Sequence, residues 1–135
     1  EDTSLLPTHI RIPWFVDAAI EKQVYSDNRW TISAEKVSYL SQSARPTTNG
    51  NVIIYGHNTR EILGNIRALK GNEIITLTLE NGMQRDYIIT TIDEVDPHEV
   101  KYLQPTTQET LTLYTCSGFL DQKRFIVQAV PKILE

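Results

Sequence analysis

The feature that most constrains the fold is a pair of β-branched runs separated by a two-residue turn signal. Residues 73–95 read EIITLTLENGMQRDYIITTIDEV, and both runs are rich in isoleucine and threonine. Such residues favour extended backbone, and Asn81-Gly82 between the runs suits the positive φ angles of a tight turn. The stretch predicts an antiparallel β-hairpin, which is the clearest element of the sequence.

Four further stretches have the composition of strands. The run HIRIPWFVDAAIEKQV at 9–24 gives two short apolar stretches broken at Pro13, as expected for an edge or bulged strand, because proline cannot donate to a ladder. The other three are NVIIYGHN at 51–58, ETLTLYTC at 109–116 and KRFIVQAVP at 123–131. Residues 1–8 are polar and proline-bearing, and they are expected to lead into the first strand.

Two short helices are predicted between the strands. TISAEKVSYL, residues 31–40, offers Ser33 as an N-cap. EILGNIRALKGNE, residues 61–73, has apolar residues at helical spacing, with Gly71 as the C-cap glycine. Seven or eight short strands with so few helices do not fit a parallel βαβ sheet. They predict an all-β, mainly antiparallel barrel or sandwich.

Composition excludes several classes of function. The 135 residues, 40% hydrophobic and 22% charged, are typical of one globular domain and argue against both disorder and a membrane span. Thirteen basic and 17 acidic residues give a net charge of −4 without a Lys/Arg cluster, so nucleic acid is not an expected partner. The single cysteine, Cys116, cannot close an intramolecular disulfide and is expected to be a free thiol.

Three chemically reactive residues lie at predicted strand ends. His57 ends one strand after Gly56, Cys116 ends another, and Arg124 begins the last. If these strands are neighbours in a barrel, the three side chains share one rim and suit acyl transfer. A thiolate attacks a carbonyl, an imidazolium protonates the departing amine, and a guanidinium stabilises the oxyanion. Thr115 could add a hydroxyl donor to the same oxygen or to the substrate backbone.

Each of these residues also has an ordinary structural explanation. A single cysteine after a strand is more often a buried small residue than a nucleophile. His57 alone could be a loop histidine, and Arg124 alone could be a solvated charge. Only their combination points to catalysis.

The combination resembles the sortases, a family of bacterial surface cysteine transpeptidases. TLYTC at 112–116, followed by Arg124 in RFIV, resembles the sortase TLxTC signature and its downstream arginine. NVIIYGHN resembles the strand that carries the sortase histidine, and RIPWFVDAAIE at 11–21 resembles the first strands of that family. The resemblance runs from about residue 9 to the end, so residues 9–135 are expected to be the catalytic domain and 1–8 the remnant of a linker.

The resemblance implies an eight-stranded β-barrel and a ping-pong reaction. Cys116 would be the nucleophile, His57 the proton donor and acceptor, and Arg124 the oxyanion or substrate clamp. Sortases cut an LPxTG-like motif between Thr and Gly, hold the acyl group as a thioester and transfer it to an amine. The implied partners are a surface protein or pilin that carries the motif, and a peptidoglycan-precursor amine or pilin lysine. The implied location is the outer face of the bacterial cytoplasmic membrane, through an N-terminal anchor outside this chain.

The connection before the cysteine strand usually lines the motif pocket in this family. Val100, Tyr102, Leu103 and Pro105 could form an apolar wall there, or they could be ordinary packing residues. Some sortases bind calcium through acidic loops, and the acidic residues of 93–99 are candidates. Those residues lack the ligand spacing of a calcium loop, so we expect a solvated acidic face, no metal site and no cofactor.

Two rival functions stay open from the sequence. A cysteine endopeptidase on the same barrel would resolve the acyl-enzyme with water in place of an amine. A non-enzymatic surface β-domain would bind a partner through its groove, and its thiol would be inert.

Overall fold

Strand pairing closes a barrel in the part of the chain that the computed structural model describes, residues 5–26, 29–117 and 122–132. For residues 26, 29, 30, 116 and 117 the description covers the backbone alone. The strands are β1 Pro7–Ile12, β2 Val16–Gln23, β3 Tyr25–Ser26, β4 Arg29–Trp30, β5 Val37–Leu40, β6 Asn51–Gly56, β7 Ile74–Leu79, β8 Gln84–Val95, β9 Thr110–Ser117 and β10 Lys123–Pro131. Two 3₁₀ helices, Gly64–Ala68 and Lys101–Leu103, complete the described elements.

Eight of the described strands form the barrel, in the order β1-β2-β5-β6-β9-β10-β8-β7, while β3 and β4 pair with each other. The β2–β5 and β6–β9 pairs are parallel, and the other barrel pairs are antiparallel. The prediction of an all-β, mainly antiparallel barrel with eight strands is therefore confirmed. β7 and β8 are the predicted hairpin, and Gly82 in its turn has a φ of 89°.

Alternation along the strands separates the barrel core from its outer face. Inward positions such as Val52 and Ile54 on β6, Leu111 and Leu113 on β9, and Leu77 on β7 are fully buried in one apolar cluster. The intervening positions of β6 and β9 face outward. The outward positions of β6 are buried as well, because other parts of the chain cover this outer face.

The predicted helix at 31–40 is wrong. Ser33 does make a cap-like turn, since its Oγ accepts from the Lys36 amide at 3.0 Å. The chain then enters strand β5, whose four residues are all buried. Pairing with β2 on one side and β6 on the other outweighs local helix propensity, because Val37 and Tyr39 are buried in the barrel core only as part of a strand.

The predicted helix at 61–73 is reduced to the 3₁₀ helix Gly64–Ala68. Its apolar stripe is buried as the spacing indicated, through Ile62, Leu63, Ile66 and Leu69. A Cβ at Gly64 would lie 2.5 Å from the Asn58 carbonyl oxygen, so the chain folds back too tightly there for a regular helix. Gly71 has the positive φ expected of it, 112°, two residues after the helix's C-cap at Leu69.

β1 begins at Pro7, inside the segment that the sequence assigned to a leader. Pro13 separates β1 from β2, as predicted, in a tight turn closed by the Phe15 amide donating to the Ile12 carbonyl at 2.8 Å. Trp14 occupies the third position of this turn with a φ of 77° and is 98% exposed. Glycine is the residue that usually meets this requirement, so the Trp14 backbone is strained.

We predict that Trp14→Gly stabilises the fold by about 1 kcal/mol, because it removes the left-handed strain while its side chain packs on nothing. The midpoint of thermal unfolding should rise by about 3–5 °C. Trp14→Ala is the matched control: it removes the ring but keeps a Cβ at positive φ, so it should give no comparable gain. Equal midpoints for the two variants would show that backbone strain is not the cause.

At the rim opposite Cys116, a buried carboxylate anchors the start of β9. Glu109 accepts from Arg85 Nε at 2.8 Å, from Tyr87 Oη at 2.6 Å and from the Thr47 amide at 3.0 Å. Burial opposes the charge of Glu109, but these donors outweigh it and hold its pKa below the usual value. The network fixes the strand that carries Cys116 at its other end.

Among the described residues, no helix has the length and apolar character needed to span a membrane.

Candidate active site

Three neighbouring strands bring the predicted catalytic positions to one rim of the barrel. Cys116 on β9 is the direct antiparallel partner of Arg124 on β10. On the other side of β9, Thr115 is the parallel partner of Gly56, the last residue of β6 before His57. Neighbouring strands lie about 4.8 Å apart, so positions 57, 116 and 124 are adjacent across the sheet. Their catalytic roles stay a prediction.

The backbone holds His57 in place although its side chain is exposed. A Cβ on Gly56 would lie 2.7 Å from Ile62 Cγ2, so only glycine lets the following loop pack this closely. The His57 carbonyl accepts from the Leu63 amide at 3.1 Å, and the Gly64 amide donates to the Thr59 carbonyl at 2.7 Å. The imidazole therefore reaches solvent from a fixed main chain.

Arg124 lies partly buried at the start of β10, and its Nη1 donates to the Lys123 carbonyl at 3.0 Å. The Cys116 thiol lies outside the described part of the structure. The register nevertheless places position 116 in the same row of β9 as Thr112 and Tyr114, two residues apart each time.

Thr115 does not take the place that the sequence suggested. It belongs to the inward row of β9, is 2% exposed, and donates its hydroxyl proton to the Gly56 carbonyl at 2.7 Å. That proton is not directed at an oxyanion or a substrate backbone. Thr115 instead ties the end of β6 to β9, immediately before His57 and Cys116.

The outer face of β6 carries a second, smaller apolar cluster. In it, Ile53 and Tyr55 pack with Leu40, and Leu103 and Tyr114 pack against them. Tyr55 Oη donates to the Thr31 carbonyl at 2.5 Å, and burial raises the pKa of Tyr55 to about 12. At the far end of the cluster lies a cavity of about 260 Å³, with apolar walls from Leu40, Ala44, Ile53, Leu103 and Pro105.

The four predicted wall residues have different surroundings. Leu103 lines the cavity and packs on the cluster, and Pro105 lines the cavity as well. Val100 is 52% exposed and is not among the cavity's described lining residues. Tyr102 donates its hydroxyl to Asp93 Oδ2 at 2.6 Å, which raises its own pKa and lowers that of Asp93. Of the four, the structure thus brings Leu103 and Pro105 to this cavity. Leu40 and Ile53 were missed because residues 31–40 were assigned to a helix and Ile53 to a buried strand.

The acidic residues of the 93–99 region are occupied by local contacts. Asp93 accepts from the Glu94 amide at 2.8 Å, Asp96 from the His98 amide at 2.9 Å, and Glu99 from the Lys101 amide at 3.1 Å. Nowhere in residues 5–26, 29–117 and 122–132 do three His, Cys, Asp or Glu side chains gather as a metal site would require. Independence from calcium stays a prediction.

The family model described as the sortase domain matches residues 10–132. No curated protein sequence matches the chain at a significant level.

Three solved structures illustrate the shared fold. The lid mutant of sortase A from Corynebacterium diphtheriae is 24% identical with a TM-score of 0.80, over 96% of this chain and 72% of that one. Sortase C1 from Streptococcus agalactiae is 19% identical with a TM-score of 0.78, over 99% of this chain and 71% of that one. Sortase C-1 from Actinomyces oris is 20% identical with a TM-score of 0.79, over 98% and 78%. At these identities the likeness shows the barrel fold.

Proposed function

The chain belongs to the sortase family, and on that premise we propose that it is a cysteine transpeptidase that cleaves an LPxTG-like motif between Thr and Gly. The observation that carries the proposal is the adjacency of three strand ends. Cys116 pairs directly with Arg124, and Thr115 pairs with the residue before His57. These pairings support a nucleophile at position 116, an acid–base group at position 57 and a permanent cation at position 124, on adjacent strand ends.

In the first half-reaction the Cys116 thiolate attacks the carbonyl carbon of the motif threonine. The carbonyl π electrons move to oxygen, and the Arg124 guanidinium stabilises the resulting oxyanion with its fixed donors. Collapse of the tetrahedral intermediate breaks the C–N bond to glycine. The departing amine takes its proton from the His57 imidazolium, which leaves a thioester on Cys116 and a neutral imidazole.

In the second half-reaction an amine attacks the thioester carbonyl. Neutral His57 takes the proton from the attacking nitrogen, and the Cys116 thiolate leaves as the new amide forms. His57 and Cys116 thereby return to their starting states. An imidazole in contact with solvent on a fixed backbone suits this double use, because both departing and incoming amines must reach it.

The cavity on the outer face offers a place for the apolar half of the motif. Ile53 lies four residues before His57 on the same chain segment, about 13 Å at the rise of a β-strand. The motif leucine lies three residues before the threonine, about 10 Å away in an extended peptide. The cavity with apolar walls beside Ile53 is therefore at the right range for a Leu-Pro pair.

The partners follow from the reaction. The donor is a surface protein or pilin that carries the sorting motif, and the acceptor is a peptidoglycan-precursor amine or a pilin lysine. We place the protein at the outer face of the bacterial cytoplasmic membrane, where such acceptors are found.

Hydrolysis is the second candidate, because an exposed His57 is also open to water. Product analysis separates the two: the domain is incubated with a Leu-Pro-Glu-Thr-Gly peptide, or with second-position variants, with and without triglycine. We expect a ligated product that joins the acyl portion to triglycine, and no product from Cys116→Ala. Cleavage that never yields ligation would identify a peptidase. Absence of any product across the motif variants would contradict the proposed function.

A further inference from the structure

Side chains from three adjacent strands hold the main chain of a segment that lines the cavity. We define the wall segment as residues 100–105, and the carbonyl clamp as Asn51 on β6, Thr112 on β9 and Gln128 on β10. Asn51 Nδ2 donates to the Tyr102 carbonyl at 2.9 Å and to the Gln104 carbonyl at 3.0 Å. Gln128 Nε2 donates to the Tyr102 carbonyl at 3.3 Å. The wall segment is therefore bound to the barrel through its carbonyl oxygens.

The hydrogen bonds within the clamp form a donor chain from Gln128 through Thr112 to Asn51. Gln128 Nε2 donates to Thr112 Oγ1 at 3.0 Å, and Thr112 Oγ1 donates to Asn51 Oδ1 at 2.6 Å. Thr112 thus orients the Asn51 amide so that both N–H groups point at carbonyl oxygens. The flipped amide would place Oδ1 against those same oxygens.

Because the clamp is buried, each of its polar atoms needs a hydrogen-bond partner. Asn51 is 4% exposed and Thr112 is fully buried. A buried polar atom that loses its partner costs far more than an average hydrogen bond contributes. Asn51 sits six positions from His57, about 20 Å along the strand. The clamp is thus remote from the reacting bond but lies directly under the wall segment.

From this geometry we infer that Asn51 is a specificity-determining positioning residue for the proposed transpeptidation: it sets the height of the wall segment over Ile53 and thereby the fit of the motif's apolar residues. The inference rests on the proposed function. Leu103, held between the two clamped carbonyls, lines the cavity next to Ile53 and Asn51 itself. Asn51 touches no reacting atom in this account, so its loss should weaken binding and leave the chemical step intact.

Asn51→Asp is the direct test, because it keeps the shape of the side chain but replaces both N–H donors with an oxygen that faces two carbonyls. We expect the KM for a Leu-Pro-Glu-Thr-Gly peptide to rise about tenfold with kcat within about twofold of wild type. The preference for leucine over alanine at the first motif position should fall with it. Thr112→Val should act in the same direction, and Thr112→Ser, which keeps the hydroxyl, should restore near-normal KM.

Two further measurements distinguish a general loss of stability from the loss of the clamp's hydrogen bonds. Ile75→Val, which removes one fully buried methyl group from the barrel core, should lower the melting temperature and should not move KM. Hydrogen exchange reports the wall segment directly, because the Leu103 amide donates to the Val100 carbonyl at 3.0 Å. Its protection should fall in Asn51→Asp by more than that of β7 and β8 amides.

Unchanged exchange at Leu103, or equal falls in kcat and kcat/KM, would overturn the inference. A wild-type protein that processes no such peptide would refute the proposed function and the specificity role with it. That result is distinct from an active wild type whose KM is unmoved by Asn51→Asp.

Discussion

Replacement of His57 by alanine should reduce kcat/KM for the motif peptide by about 10³-fold or more, within the range for loss of a general acid and base. Two effects combine: the departing amine loses its proton donor, and the Cys116 thiolate loses a neighbouring positive charge that favours it. The His57 side chain is exposed. The free energy of unfolding should therefore change by less than about 0.5 kcal/mol.

His9→Ala is the matched control for this variant. His9 lies on β1, which is not adjacent to β6, β9 or β10. Its Nε2 is 2.6 Å from Asp17 Oδ1. Its loss should leave turnover near that of wild type. A large fall in the melting temperature of His57→Ala, or an active His57→Ala protein, would show that this histidine is structural.

Arg124→Lys should be nearly as damaging as Arg124→Ala, with each lowering kcat by about 10²–10³-fold, as the loss of an oxyanion donor does. Lysine keeps the charge, but its ammonium is a point charge on a flexible stem and does not reproduce the planar fork of donors. Arg124 is the second residue of β10 and its Cα is paired with that of Cys116, so the guanidinium begins from a fixed base. A direct assay of kcat for both variants measures the effect.

Lys123→Ala provides the control on the same strand. Lys123 is exposed and pairs with position 117, one step from the Arg124–Cys116 pair. Near-normal turnover is expected of it. If Arg124→Lys were also near normal, the residue would supply charge alone and the directional clamp would be wrong.

The parts of the fold that could be predicted depend on local chemistry. Asn81-Gly82 specifies its own turn, and β9 and β10 are continuous branched runs whose ends the sequence marks clearly. The same strand ends carried the prediction that positions 57, 116 and 124 share a rim. The structure bears out this placement because β6, β9 and β10 are consecutive in the barrel.

The parts that could not be predicted depend on partners far away in the sequence. β5 is a strand because β2 and β6 lie beside it, and its own sequence favours a helical turn at Ser33. The carbonyl clamp joins Asn51 to a residue 61 positions away, and no local pattern marks such a contact. The inward position of Thr115 is different: it shares the period of Leu111 and Leu113, so alternation along β9 held the signal.

The central claim, that Cys116 forms a thioester with the motif threonine, is tested most directly by intact-mass measurement of the acid-quenched reaction. The domain is mixed with a Leu-Pro-Glu-Thr-Gly peptide without an amine acceptor and quenched at short times. The account predicts an adduct with the mass of the acyl portion that ends at threonine. The adduct should map to the peptide containing Cys116, be released by hydroxylamine, and be absent from Cys116→Ala. Product formation without such an adduct, or an adduct that persists in Cys116→Ala, would contradict it.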